Sequence, residues 1–213
     1  MRPIQVTVGP LAAASANNIA LSQTPNSGNL ILNGSTAVNG TAVLDKPRRV
    51  LITAAANESA NTFTITGTNW SGSAISETIT GPNASTAQSV LDYATVSRIT
   101  ISGNAAGAIT VGTSGVASSP WVSLDHWALP QVAIQCNVNG TVNYTVQSTL
   151  DNPNGSVPPA AVTWINTSDT GAVGASASIQ TNFAYAPTFA RVILNSGTGT
   201  VTTTFSQFGA VTK

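Results

Sequence analysis

Arg49-Val-Leu-Ile-Thr53 and Thr62-Phe-Thr-Ile-Thr66, followed by Tyr93-Ala-Thr-Val-Ser-Arg-Ile-Thr-Ile101 and Gly107-Ala-Ile-Thr-Val111, are segments that the chain uses twice. Their counterparts are Gln131-Val-Ala-Ile-Gln135, Val142-Asn-Tyr-Thr-Val146, Tyr185 to Leu194, and Gly199-Thr-Val-Thr-Thr203. Laid over one another, Val50 and Ile52 match Val132 and Ile134, and Phe63 and Ile65 match Tyr144 and Val146. Arg98-Ile-Thr-Ile101 matches Arg191-Val-Ile-Leu194, and a Tyr-Ala pair opens each closing segment. Self-similarity of this kind predicts one β module used in tandem.

Alternation identifies these segments as strands. Successive side chains of a strand point to opposite faces, so Phe63 and Ile65 share one face and the intervening threonines share the other. The same pattern sends Val132, Ile134 and Cys136 inward, with Val142, Tyr144 and Val146, then Val192 and Leu194. Arg98 and Arg191 stand one position off their apolar neighbours and are expected to leave the core.

The chain has 213 residues, 42% of them hydrophobic but only 7% charged. A charged quarter is usual in soluble domains, so Ser, Thr, Asn and Gly must cover this surface. The expected fold class is all-β: two tandem β-sandwich modules, immunoglobulin-like or jelly-roll, each of roughly 100 residues. Residues 1–115 make the first, with an extended N-terminal arm over Leu11 to Ala20, and residues 116–213 make the second. Gly112-Thr-Ser-Gly-Val-Ala-Ser-Ser-Pro120 reads as the linker by composition. Asn33-Gly34 and Asn39-Gly40 are hairpin-turn signals.

Seven basic and seven acidic residues balance to zero. Such a surface steers the protein toward neither a phosphate backbone nor an anionic membrane, so neither nucleic acid nor membrane is an expected partner. Little charge also leaves little to oppose self-association, which suits a subunit assembled in many copies. Pro3 to Val8 is too short and too polar for a secretory signal, and no segment approaches a membrane span, so folding in a cytoplasm is expected. Cys136 is the only cysteine. It therefore forms no intrachain disulfide, and its alternation with Val132 and Ile134 marks it as a buried, inert thiol.

Asp45-Lys-Pro-Arg-Arg49 is the densest charge cluster and is read as an exposed corner or an intersubunit contact. Glu77 shares a face with Ile75 and Ile79. It must pair with Arg48, Arg49 or Arg98, or lie on an edge strand where it blocks sheet-to-sheet association. Trp121-Val-Ser-Leu-Asp-His-Trp127 holds two of the four tryptophans and the only histidine, and is expected to be a packed junction between modules or subunits. The long return after the second hairpin carries Trp164 and is expected to present a partner-specific surface. The candidate interface residues are therefore Trp121, His126, Trp127, Arg48, Arg49 and Trp164.

Little catalytic chemistry is available. His126 stands alone, with no nucleophile elbow in the chain to complete a triad. Asp151-Asn-Pro-Asn-Gly155 opens like a calcium loop but lacks the later acidic ligands, so it reads as a turn. No phosphate loop is present, and no pair of carboxylates is singled out for glycosidase chemistry. The expected sets of catalytic, cofactor-binding and metal-binding residues are empty, and no cofactor is expected.

Ala20-Leu-Ser-Gln-Thr-Pro25, Gly28-Asn-Leu-Ile-Leu-Asn33, Leu44-Asp-Lys-Pro-Arg-Arg-Val-Leu-Ile-Thr53, Thr62-Phe-Thr-Ile-Thr-Gly67 and Glu77-Thr-Ile-Thr-Gly-Pro-Asn83 resemble a group of virion-associated proteins of tailed bacteriophages. So do Gly140-Thr-Val-Asn-Tyr-Thr-Val-Gln147 and Ser196-Gly-Thr-Gly-Thr-Val-Thr202. The resemblance spans nearly the whole chain, on strand and turn patterns. It implies a structural virion subunit with no catalytic residues, assembled in the host bacterial cytoplasm. Capsid decoration or cement is the leading role, contacting itself as a homo-oligomer and the major capsid protein or other virion proteins. A neck, collar, tail or fibre component is the alternative, possible glycan or receptor contacts falling to Trp70, Trp164 and Tyr185.

Overall fold

The computed structural model describes residues 3–125, 131–155 and 157–207. Strands dominate: β1 (Ile4–Val8), β2 (Ser15–Gln23), β3 (Gly28–Asn29), β4 (Ala37–Val38), β5 (Thr41–Ala54), β6 (Thr62–Thr68), β7 (Ala74–Thr80), β8 (Thr86–Gln88), β9 (Tyr93–Ile101) and β10 (Ile109–Ser118). They continue with β11 (Val122–Ser123), β12 (Val132–Asn139), β13 (Val142–Thr149), β14 (Ile165–Asn166), β15 (Ile179–Phe183), β16 (Phe189–Gly197) and β17 (Thr200–Gln207). Two single 3-10 turns, Pro159–Ala161 and Thr170–Ala172, are the helical elements among the described residues. The protein is all-β, with large multi-stranded sheets.

The chain divides into two compact units, residues 12–115 and residues 1–11 with 116–213. The N-terminal segment differs from the sequence expectation. Residues 1–11 belong with the C-terminal unit, because β1 runs antiparallel along β17 from Ile4↔Phe205 to Val8↔Val201. The expected arm over Leu11 to Ala20 is largely strand β2, paired with β10. The glycine- and serine-rich stretch read as a linker is the greater part of β10 itself. Gly112 has a steric reason: a Cβ there would collide with the Ser15 carbonyl oxygen, so only glycine lets β2 approach so closely.

In the unit of residues 12–115, β9 is central. It pairs with β6 along one edge, and with β3 and the start of β5 along the other. β5 is bent: after a register shift between Val43 and Arg48 it continues along β8. Phe63, Ile65, Val50, Ile52 and Ile99 are fully buried, on the faces that the alternation predicts. The Asn39-Gly40 signal is a two-residue hairpin loop joining β4 to β5, with φ of 51° and 77°. Both residues are left-handed, as that tight turn requires. Asn33-Gly34 is not a hairpin turn; its Asn33 Oδ1 accepts from the Leu21 amide and its Gly34 amide donates to Ile19 O. β7 lies at the sheet edge, and Glu77 on it accepts from the Val90 and Leu91 amides at 2.8 and 2.9 Å. The carboxylate thus pins the loop beyond β8.

The C-terminal unit stacks two layers. One is a four-stranded sheet ordered β1-β17-β12-β15. The other contains β14, β13 and β16, with β11 and the end of β10 along the far edge of β16. Val132, Ile134, Cys136, Tyr144, Leu194 and Phe205 meet between the layers, all 2% exposed or less. The matched segments pair alike in part: β6 lies along β9, and β13 lies along β16. They differ in that β5 also reaches β9, whereas its counterpart β12 sits in the opposite layer from β16.

Candidate functional site

The C-terminal unit carries an aromatic stack on the outer side of β16. Val192 and Leu194 face the core, which sends Arg191 to the opposite face. Arg191 leaves the core, as expected, but is covered on that outer face and only 6% exposed. β14 pairs with the end of β13 and brings the Trp164 ring over the guanidinium, 4.4 Å from its carbon to the ring centroid. Nε of Arg191 donates to Gln147 Oε1 at 2.9 Å. Trp121 meets Trp164 edge-on, with centroids 5.1 Å apart, and contacts Phe189 at 6.3 Å. A cation against the negative face of an indole is favourable, more so when water is partly excluded.

Both tryptophans, offered by the sequence as interface residues, are therefore half-buried and packed inside their own unit. Trp164→Ala is expected to destabilise this unit by about 2 kcal/mol, from lost aromatic area and the uncovered Arg191. Denaturant unfolding measures it; a change within about 0.5 kcal/mol, the range of ordinary surface substitutions, would mean that the stack contributes nothing.

Arg48 is a second departure. Read as part of an exposed corner or an intersubunit contact, it is instead 1% exposed. Its Nε and Nη2 both donate to Ser114 O, and its Nη1 donates to Ala12 O at 2.9 Å and to Asp45 Oδ1 at 3.0 Å. Asp45 Oδ2 in turn accepts from the Ala12 amide. Burial pushes the Asp45 carboxyl up, but the Ala12 amide and the Arg48 guanidinium outweigh it and hold the group below the usual carboxylate value. Arg49, partly exposed, lies 3.8 Å from Asp92 across a β5–β9 corner. These arginines serve the fold of the unit that contains them. His126 and Trp127 lie outside the described residues.

The C-terminal unit also carries a cleft of about 220 Å³ between the end of β13 with residues 150–151 and the 163–165 segment. Leu150, Ile165 and Tyr185 line it and are 71, 61 and 49% exposed. Asp151 Oδ2 joins its two walls by accepting from the Thr163 amide at 2.6 Å. Tyr185 leans on Phe183, the ring centroids 6.2 Å apart. Asp151-Asn-Pro-Asn-Gly155 itself is a turn, closed by Asn154 and Gly155 amides donating to Asn152.

Among the described residues no group of His, Cys, Asp and Glu side chains comes together that could hold a metal ion. Cys136 is fully buried, and burial pushes its thiol up. Trp70 sits in a tight turn in which Asn69 Oδ1 accepts from the Ser71 and Ser73 amides. One important residue had no sequence signal. Glu58 is 0% exposed, with its carboxylate accepting from the Ala106 and Gly107 amides and from Asn61 Nδ2. It sits outside any alternating strand, so periodicity could not mark it.

The outer face of the four-stranded sheet carries no charge on its paired strands. Gln5, Thr204, Gln135 and Gln180 fall side by side across all of them. Gln180 donates to Gln135 at 3.1 Å, Gln5 donates to Thr204 at 3.4 Å, and Thr7 and Thr202 hydroxyls share a bond of 3.1 Å. β1 and β15 form the two edges of this sheet. No protein-family description matches the chain, and a search of curated proteins finds no relative.

Proposed function

We propose that this chain is a non-enzymatic structural subunit of a tailed-bacteriophage particle, decorating or cementing the capsid as a homo-oligomer. The observation that carries this reading is the uncharged amide and hydroxyl face of the β1-β17-β12-β15 sheet, bounded by strands whose outer edges have no partner strand in the described chain. The β6–β7 ribbon presents a similar surface, where Thr64 bonds Thr78 and Thr66 bonds Ser76. Such faces carry almost no like-charge repulsion, so copies can sit close together. Each polar contact is weak, but a symmetric shell repeats it many times, and avidity replaces affinity. The resemblance to phage virion proteins points the same way.

The test is imaging of particles made without this gene product. Decoration requires density to disappear from the outside of the head. Heads with unchanged exterior density overturn it, and a loss confined to neck, collar or tail assigns the subunit there.

A further inference from the structure

We propose that the cleft between the end of β13 and the 163–165 segment binds a neutral saccharide. Large hydrophobics stand exposed singly in the unit of residues 12–115, but among the described residues of the C-terminal unit the exposed ones are Leu150, Ile165 and Tyr185, and all three line one concavity. Leaving three large apolar groups in water together is unfavourable, and an exposed cluster of this kind marks a contact site. The polar groups narrow the occupant. Asp151 supplies acceptor oxygens, and Ser148, Thr149 and Thr163 line the same cleft. Among the described residues no lysine or arginine lines it, and the Arg191 guanidinium is engaged by Gln147 and the Trp164 ring.

The combination selects a ligand with one apolar face and several hydroxyl donors. A pyranose has both: its C–H face rests on an aromatic ring, and its hydroxyls donate to a carboxylate. The single carboxylate, uncompensated by any lining cation, disfavours sialic or uronic acids. A cleft that opens directly to solvent and holds about 220 Å³ suits one ring of a longer glycan.

The experiment uses the purified full chain on an array of neutral and acidic oligosaccharides, followed by saturation-transfer NMR titration of the hits. Saturable binding of neutral sugars is expected. Tyr185→Ala should weaken it about tenfold or more, which corresponds to about 1.4 kcal/mol. Tyr185→Phe keeps the ring and should keep the affinity, and Asp151→Asn should lower it while preserving an acceptor for the Thr163 amide. Tyr185 is half exposed, so unchanged melting of the variants is expected and is checked alongside. Absence of any saturable neutral sugar, preference for acidic sugars, or binding untouched by Tyr185→Ala overturns the proposal. So does a Tyr185→Ala variant that fails to join particles while the parent chain binds no sugar, which would give the cleft to a protein partner. Because the assay needs no particle, its failure is separate from failure of the decoration reading.

Discussion

Replacing Arg48 with methionine is expected to destabilise the unit of residues 12–115 by about 3 kcal/mol, near the lower end of what breaking a buried ion pair costs. The guanidinium is enclosed, and each of its three nitrogens has an acceptor among Ser114 O, Ala12 O and Asp45 Oδ1. Methionine fills much of the space but offers none of those donors, so the buried Ser114 carbonyl and the Ala12 carbonyl each lose a charged donor. Asp45 is solvent-exposed and can rehydrate, which keeps the cost from rising further. Arg48→Lys should recover only a fraction, because one ammonium cannot match a planar fork aimed at acceptors on both sides.

The same site gives a pH signature. Asp45 titrates below its usual value in the folded protein. Its contribution is therefore fully present above the unfolded carboxylate value and is lost as pH falls through the depressed folded value. Urea unfolding of parent and variant across that acidic window should show the two stabilities converging as pH drops. A parallel offset at every pH, or a loss under about 1 kcal/mol at neutral pH, would refute the clamp.

What the sequence revealed was whatever repeats with a period of two. β6, β12 and β17 alternate because each has one face in a core and the other turned away from it, and the buried residues fall where the alternation puts them. Signals failed where tertiary pairing overrides local composition. β10 looks like a linker because Gly112 and Gly115 break its pattern, but Gly112 is glycine because Ser15 leaves no room for a side chain. β1 was placed with its sequence neighbours, yet strand pairing is chosen by register and apolar match, and β17 lies far along the chain. Arg191 was taken out of the core by a parity argument. The parity held; the outer face was simply covered by Trp164, arriving from a loop of no visible periodicity. The candidate interface residues suffered for the same reason: rarity in a charge-poor sequence marks a tryptophan or an arginine as important, but does not say whether it holds the fold or meets a partner.

Glu58→Ala is expected to cost the same unit about 3 kcal/mol, the other large effect. The carboxylate is fully enclosed and receives the Ala106 and Gly107 amides on Oε1, at 2.8 and 3.0 Å, and Asn61 Nδ2 on Oε2 at 2.8 Å. Hydrogen bonds to a charged acceptor contribute about 1.5–3 kcal/mol, and truncation also strands donors that a hydrophobic replacement cannot satisfy. The Glu58 amide meanwhile donates to Pro82 O, so one residue ties together the turns after β5, β7 and β9. Glu58→Gln is the discriminating variant. It keeps the shape and one carbonyl oxygen for the two backbone amides but turns an NH2 group toward Asn61 Nδ2, which also donates to Asn104 O at 3.2 Å, so a flip of the Asn61 amide regains one bond and forfeits the other. Its loss should therefore be about half that of alanine. In hydrogen exchange, the Ala106 and Gly107 amides should lose protection in the alanine variant and retain most of it in the glutamine variant. Equal losses in both would place the stabilisation in the charge itself, and protection unchanged in both would mean that these turns are held by their backbone bonds alone.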